Sequence, residues 1–243
     1  MTRIVATVEA RMTSTRLPGK VLLPAAGEPL LTHLLRRVLA VDGISDVVVA
    51  TTVNTADDPI VACAIQHGAQ AYRGSEDDVL GRVTCAAEER SADVVVALTA
   101  DNPLVDPHII CMVLDAHLQY GTSITANNFE QTFPDGMDVQ VMSIEALRAA
   151  RDLAETASDH EHLTQVIRSH PEQFSRHNVL APEGFFMPEL SVTVDEPDDY
   201  RLVCEIVERL GSVNPIFGCE ALIALIRSDP RLVKMNKRVQ RRY

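Results

Sequence analysis

Residues 4–20, IVATVEARMTSTRLPGK, pass from an apolar run straight into a basic loop. The run 4–8 has the composition of a buried strand, and Arg11, Arg16 and Lys20 follow it, with the hydroxyls Thr13, Ser14 and Thr15 between them. A strand that delivers three cations and three short donors to one turn is built to hold a polyanion. Arginine grips phosphate oxygens bidentately and lysine adds a point charge. A solvated basic turn is the alternative, but the chain carries a formal charge of −12, against which such an island of cations stands out. The loop is not a Walker A sequence, because Gly19-Lys20 is followed by Val21 and Ser14 stands where the first glycine belongs. No G-x-G-x-x-G follows any strand either, so phosphate binding would rest on side-chain cations. Pro18 fixes its own φ and Gly19 permits φ > 0, which turns the chain and aims Lys20 back at the loop.

Outward from this loop, strand-like runs at 4–8, 46–52 and 93–98 alternate with helical patterns at 28–41, 58–67, 77–90 and 107–120. Pro29 and Pro59 suit first turns, and Gly68 and Gly121 suit helix ends. The βαβα rhythm predicts a mostly parallel sheet flanked by helices, with ligands beyond the carboxyl ends of the strands. The later half reads as strands at 123–127 and 138–142 around the turn Phe133-Pro134-Asp135-Gly136, then helices at 143–155 and 159–169. Strand-like 175–180 and 191–194 and helices at 197–210 and 218–227 complete it. No linker or repeat divides the chain, which predicts one domain over 1–243 with a substrate- or dimer-facing section around 123–190.

Composition agrees with that architecture. Hydrophobic residues make up 46% with no Trp and 4% aromatics, so the core is aliphatic, as a covered parallel sheet requires. The longest apolar stretches are too short to span a bilayer, and no signal-peptide pattern opens the chain. Five scattered cysteines without C-x-x-C point to a reducing cytoplasm rather than to disulfides or zinc. Acidic residues outnumber basic ones by 34 to 22, which argues against nucleic acid as a partner. The basic tail from Arg231 reads as a frayed, solvated end.

Two aspartates fall just after predicted strands. Asp101, in LTADNPLVDP, would serve as a Mg²⁺ ligand or as part of an Asx-turn with Asn102-Pro103. Asp195, in SVTVDEP, has the same setting, or caps the helix that follows. Mg²⁺ takes only one or two protein carboxylates beside phosphate oxygens and water, so two aspartates on the rim of a cationic loop suffice. In FPDGMDV the turn accounts for Asp135, whereas Asp138 opens an apolar strand. His160, Glu161 and His162 diverge around a predicted helix, which excludes zinc and leaves a substrate contact or helix capping.

The segments ARMTSTRLPGKVL, RGSEDDVLGR, LTADNPLVDP, FPDGMDV and VDEPDDY, in that order over roughly the first 210 residues, resemble the SpsF-type branch of the cytidylyltransferases. That group is related to the CMP-Kdo and CMP-sialic acid synthetases. The resemblance implies one Rossmann-like α/β domain of GT-A or nucleotidyltransferase type. Its expected reaction transfers CMP from CTP to an acidic acceptor, a sugar acid or a phosphonate or phosphate, and releases pyrophosphate. It further implies a cytoplasmic homodimer in cell-surface glycan or related natural-product synthesis. By the same resemblance, Arg11, Ser14, Arg16 and Lys20 hold the triphosphate, and Ala10, Arg73, Asp78 and Arg82 lie by the nucleoside. Asp101 and Asp195 hold Mg²⁺, and Asp138, His160 and His162 meet the acceptor. Arg11, Arg16, Lys20 and Asp101 then carry catalysis. The chain departs from the branch at Thr13 for glycine, Glu9 for glutamine and Asn102 for cysteine. A GT-A glycosyltransferase would present D-x-D where this chain has Asp101-Asn102-Pro103, and a non-catalytic nucleotide-binding regulator would release no pyrophosphate.

Overall fold

The structure, a computed structural model, describes residues 2–239. The first half of the chain forms β1 (Ile4–Glu9), the short pair β2 (Pro24–Ala25) and β3 (Glu28–Pro29), α1 (Leu30–Leu39), β4 (Asp46–Thr52) and α2 (Asp58–Gln66). After these come β5 (Gln70–Gly74), α3 (Val79–Glu89), β6 (Val94–Thr99) and α4 (Pro107–Tyr120). The second half adds β7 (Ile124–Ala126), β8 (Gln140–Ser143), α5 (Ile144–Leu153), α6 (Ala157–Glu161) and α7 (Gln165–Ser169). It ends with β9 (Arg176–Asn178), α8 (Pro197–Gly211) and α9 (Cys219–Ser228).

Seven strands make one sheet in the order β5-β4-β1-β6-β8-β7-β9. Only β8 runs against its neighbours in that sheet. Alternate side chains of each central strand enter opposite cores. Ala6, Val8 and Val96 pack on one side with α1, α4 and α8, while Val5, Val48 and Val95 pack on the other with α3, α5 and α7. Burial on both faces explains why these strands read as continuous aliphatic runs rather than alternating ones. The mostly parallel α/β sheet expected from the sequence is therefore present.

Several local expectations are corrected. The helix expected from 28 starts at Leu30, because Ala26 and Gly27 adopt φ of 47° and 85° and fold Pro24–Pro29 into a tight hairpin first. β5 was absent from the sequence reading. It is a half-exposed outer strand, QAYRG, whose few apolar residues leave no periodic signal. The single helix expected over 159–169 is two short ones. The chain turns at His162, buries Leu163 in the core and restarts at Gln165.

Residues 191–194 are extended but form no ladder, only a bridge from Ser191 to Asp135. The tail from Arg231 is not frayed as far as it is described, because Leu232 is buried in the core and Asn236 is buried and hydrogen-bonded. Arg241 and Arg242 lie outside the described residues.

Gly136 governs the approach of segment 191–194. Its φ is +100°, and a Cβ there would sit 2.7 Å from the Thr193 nitrogen. Gly136→Ala should lower unfolding stability in urea by more than about 1 kcal/mol, from both left-handed strain and the clash. An unchanged midpoint would contradict this account of the turn.

Candidate active site

The site lies at the carboxyl ends of β1 and β6, where a cleft of about 450 Å³ opens between the amino-terminal loop, α3 and the segment after β6. The loop is anchored from below by Asp57. This fully buried carboxylate accepts from the Met12 N–H at 2.8 Å and from the Thr51 and Thr52 hydroxyls at 3.1 and 2.5 Å. Sequence reading gave Asp57 no role, since nothing marks an aspartate in a polar turn as buried. Further along, Gly19 takes φ of 70° and its N–H donates to the Met12 carbonyl, which closes the loop and starts the single 3₁₀ turn at Lys20–Leu22. The Pro18-Gly19 turn therefore aims Lys20 inward, as its residues imply.

Lys20 is buried, and its Nζ donates to Asp101 Oδ2 at 3.0 Å and to Asp195 Oδ1 at 2.8 Å. Arg16 Nη2 pairs with the other oxygen of Asp195 at 2.8 Å, and the Thr99 hydroxyl donates to the other oxygen of Asp101 at 2.6 Å. Burial pushes the Asp195 carboxyl up, but the Lys20 hydrogen bond and charge, with Arg16, outweigh it and leave the group below the usual carboxylate range. The two aspartates, with three strands of the sheet between them in sequence, are joined by backbone as well. The Val194 N–H donates to the Asp101 carbonyl at 2.8 Å.

Of the residues singled out in the sequence, Ala10, Arg11, Ser14, Arg16, Lys20, Arg82, Asp101, His162 and Asp195 all line this one cleft. Two of their guanidinium nitrogens, Arg16 Nη1 and Arg82 Nε, are buried without a hydrogen-bond partner. Arg82 is held against the cleft by its Nη1, which donates to the Ser75 carbonyl. Gly74 and Gly81 make room around it. A Cβ on Gly74 would meet the Arg82 side chain at 2.9 Å, and one on Gly81 would collide with the Asp78 carboxylate that caps α3.

Four predicted residues sit elsewhere. Arg73 is outside the cleft lining, with its guanidinium on Asp58 at 2.6 Å and on the carbonyls of Thr52 and Asn54. Asp78 accepts from the Gly81 N–H at 2.9 Å and from His160 Nδ1 at 3.0 Å, so both act as a clasp between α3 and α6 rather than as cleft walls. Asp138 lies two residues before β8, beyond the cleft lining. Its Oδ1 is buried and unpartnered, and burial, then the charges of Asp135 and Asp101, push it up to about 7.

Two further residues line or support the site: Glu161, which the sequence offers for a substrate contact or helix capping, and Asp199, to which it gives no role. Glu161 faces the cleft beside His162. Asp199 is fully buried and accepts from the N–H groups of Asp195 at 3.1 Å and Glu196 at 2.9 Å. Its other oxygen accepts from Asn236 Nδ2 at 2.8 Å, and Asn236 also donates to the Ser191 carbonyl at 3.0 Å. The carboxyl-terminal segment thus braces the chain that presents Asp195. Asn236→Ala should weaken Mn²⁺-dependent nucleotide binding several-fold while far-UV circular dichroism stays unchanged. Unaltered binding would show that Asp195 needs no such brace.

Residues 5–212 match the family model described as cytidylyltransferase. The spore coat polysaccharide biosynthesis protein SpsF of Bacillus subtilis is 33% identical over 235 residues, which covers 95% of this chain and 96% of that one. The structure of a cytidylyltransferase from Leptospira borgpetersenii superposes over the full length of both chains with a TM-score of 0.91 at 27% identity. At the level of fold alone, CMP:2-keto-3-deoxy-manno-octonic acid synthetase complexed with CTP superposes over 86% of this chain and 99% of that one (TM-score 0.64, 20% identity). The chain belongs to the cytidylyltransferase family and is a CTP-dependent nucleotidyltransferase.

Proposed function

We propose that the cleft binds CTP through Arg11, Ser14, Arg16 and Lys20, holds Mg²⁺ on Asp101 and Asp195, and transfers CMP to an acidic acceptor with release of pyrophosphate. The observation that carries this reading is the convergence of both aspartates on one point beside the basic loop, at 3.0 and 2.8 Å from Lys20 Nζ. Two carboxylates without a histidine or thiolate partner make a hard, oxygen-only donor set, which fits Mg²⁺ with its remaining positions left to phosphate and water. Bound there, Mg²⁺ would supply Lewis-acid polarisation of the phosphoryl oxygens.

The protein's own share is positioning and charge. The base lies by Ala10 and Arg82, and Arg11, Arg16 and Lys20 along the loop take up phosphate oxygens. An acceptor oxygen attacks the α-phosphorus in line and its bond to pyrophosphate breaks. Lys20 and the arginines stabilise the departing charge. A phosphate or phosphonate acceptor arrives ionised. A hydroxyl must lose its proton to a nearby carboxylate. His162 and the section around 123–190 face the acceptor in this reading, and that section also carries the homodimer contact. The exposed Tyr120, stacked on His177 of the outer strand β9, lies beside it. No helix among the described residues is long and apolar enough to cross a membrane. The relative's printed role in spore coat polysaccharide synthesis supports a step in cell-surface glycan synthesis.

Glu9 adds a pH dependence. It lines the cleft, and burial pushes its carboxyl up to about 7 against the opposing charge of Arg82, with Asp101 raising and Arg11 lowering it. Below about 7 the group is neutral and stands in for the amide of glutamine. Above it, an anion faces the triphosphate. The KM for CTP should therefore rise in the wild type as pH climbs through about 7, and the rise should be smaller in Glu9→Gln. Parallel profiles would remove the role.

The function itself is tested by pyrophosphate release with four nucleotides against a panel of sugar acids, phosphates and phosphonates. CTP with one acceptor class should turn over. Asp101→Asn should cut that rate by at least about a hundredfold with the fold intact, because such Lewis-acid stabilisation is worth several kcal/mol. Near-normal turnover would remove Asp101 from the metal site.

A further inference from the structure

We infer that Lys20 is an interlock: its ammonium occupies the point shared by Asp101 and Asp195 until a triphosphate arrives to take it. This rests on the reading of the cleft as the metal and nucleotide site. All four carboxylate oxygens of the pair already have donors in the protein. Lys20 bridges one oxygen of each, Thr99 holds the second oxygen of Asp101, and Arg16 holds the second oxygen of Asp195. Two cations against two anions leave the cluster neutral.

A divalent ion bound to both aspartates must sit where Nζ now sits. Its ligand oxygens would lie at about 2.0–2.1 Å, and an ammonium cannot stay in contact with the same two oxygens beside it. The backbone of Lys20 cannot carry the group away, since it is fixed in the Lys20–Leu22 turn by hydrogen bonds to Leu17 and from Leu23. Only the four-carbon stem can move, and it opens into a cleft lined by Arg11, Ser14 and Arg16.

The consequence depends on what else is bound. With metal alone, the displaced ammonium loses two ion pairs and meets two guanidinium groups. With a triphosphate present, it exchanges carboxylate oxygens for phosphate oxygens. Metal and nucleotide therefore bind as a coupled pair, and linkage makes the coupling reciprocal. An enzyme built this way does not hold its metal between turnovers.

The test is Mn²⁺ binding without nucleotide, followed by the electron paramagnetic resonance signal of free Mn²⁺. Lys20→Met keeps the stem and removes the charge. It should bind Mn²⁺ on the order of tenfold more tightly than the wild type, within the usual range of such couplings. Arg16→Met removes an equal charge from the far side of Asp195 and should gain much less. The gain should disappear in Lys20→Met combined with Asp101→Asn. No gain in Lys20→Met, or an equal gain in Arg16→Met, overturns the interlock and leaves the metal site standing. A gain that survives the loss of Asp101 places the metal elsewhere, and the reading of the cleft falls with it.

Discussion

One ammonium group between two carboxylates ties the amino-terminal loop to the end of β6 and to the segment before α8. Lys20 comes from the first turn after β1, Asp101 from the loop after β6, and Asp195 from an extended stretch late in the chain. Nothing local would hold these three together. What does is a stack of buried supports: Asp57 under the loop, the Val194 bond to the Asp101 carbonyl, Gly136 making space for residues 192–193, and Asp199 braced by Asn236. Buried charges are costly without partners, so the hydrogen-bonded supports also satisfy groups that would otherwise be stranded.

The same economy explains the chemistry of the cleft. The overall charge is −12, yet the cleft collects Arg11, Arg16, Lys20 and Arg82. Of its acidic members, Asp101 and Asp195 are paired and Glu9 is pushed toward neutrality by burial. The four cations outnumber the carboxylates that stay charged, so the cleft keeps a net positive charge for a polyanion inside an acidic chain. The departure at Thr13 fits as well. Its hydroxyl donates to Glu76, a contact glycine could not make, and Glu76 also lies within ion-pair reach of Arg11.

Much of this was readable in the chain because signals of different kinds agreed. Valine-rich runs gave β1, β4 and β6, and the cations after β1 with aspartates after later strands placed one rim. Where the sequence failed, the determining force was tertiary. QAYRG pairs as β5 through backbone bonds that its composition does not advertise. Residues 159–169 look like one helix until the pull of the core on Leu163 breaks them. Arg73 was placed beside the nucleoside on resemblance, but three nearby oxygens hold its guanidinium on the outer strand. Asp57, Asp199 and Asn236 went unassigned because a buried polar residue is recognised by what surrounds it, and those neighbours lie far away in sequence.

The most direct measurement of the central claim is anomalous diffraction from crystals grown with Mn²⁺ and CTP. The account predicts a single manganese peak between the Asp101 and Asp195 carboxylates, the triphosphate along residues 11–20, and Lys20 Nζ moved from the aspartates onto phosphate oxygens. A manganese peak away from that pair, with Lys20 still bridging it, would contradict the account.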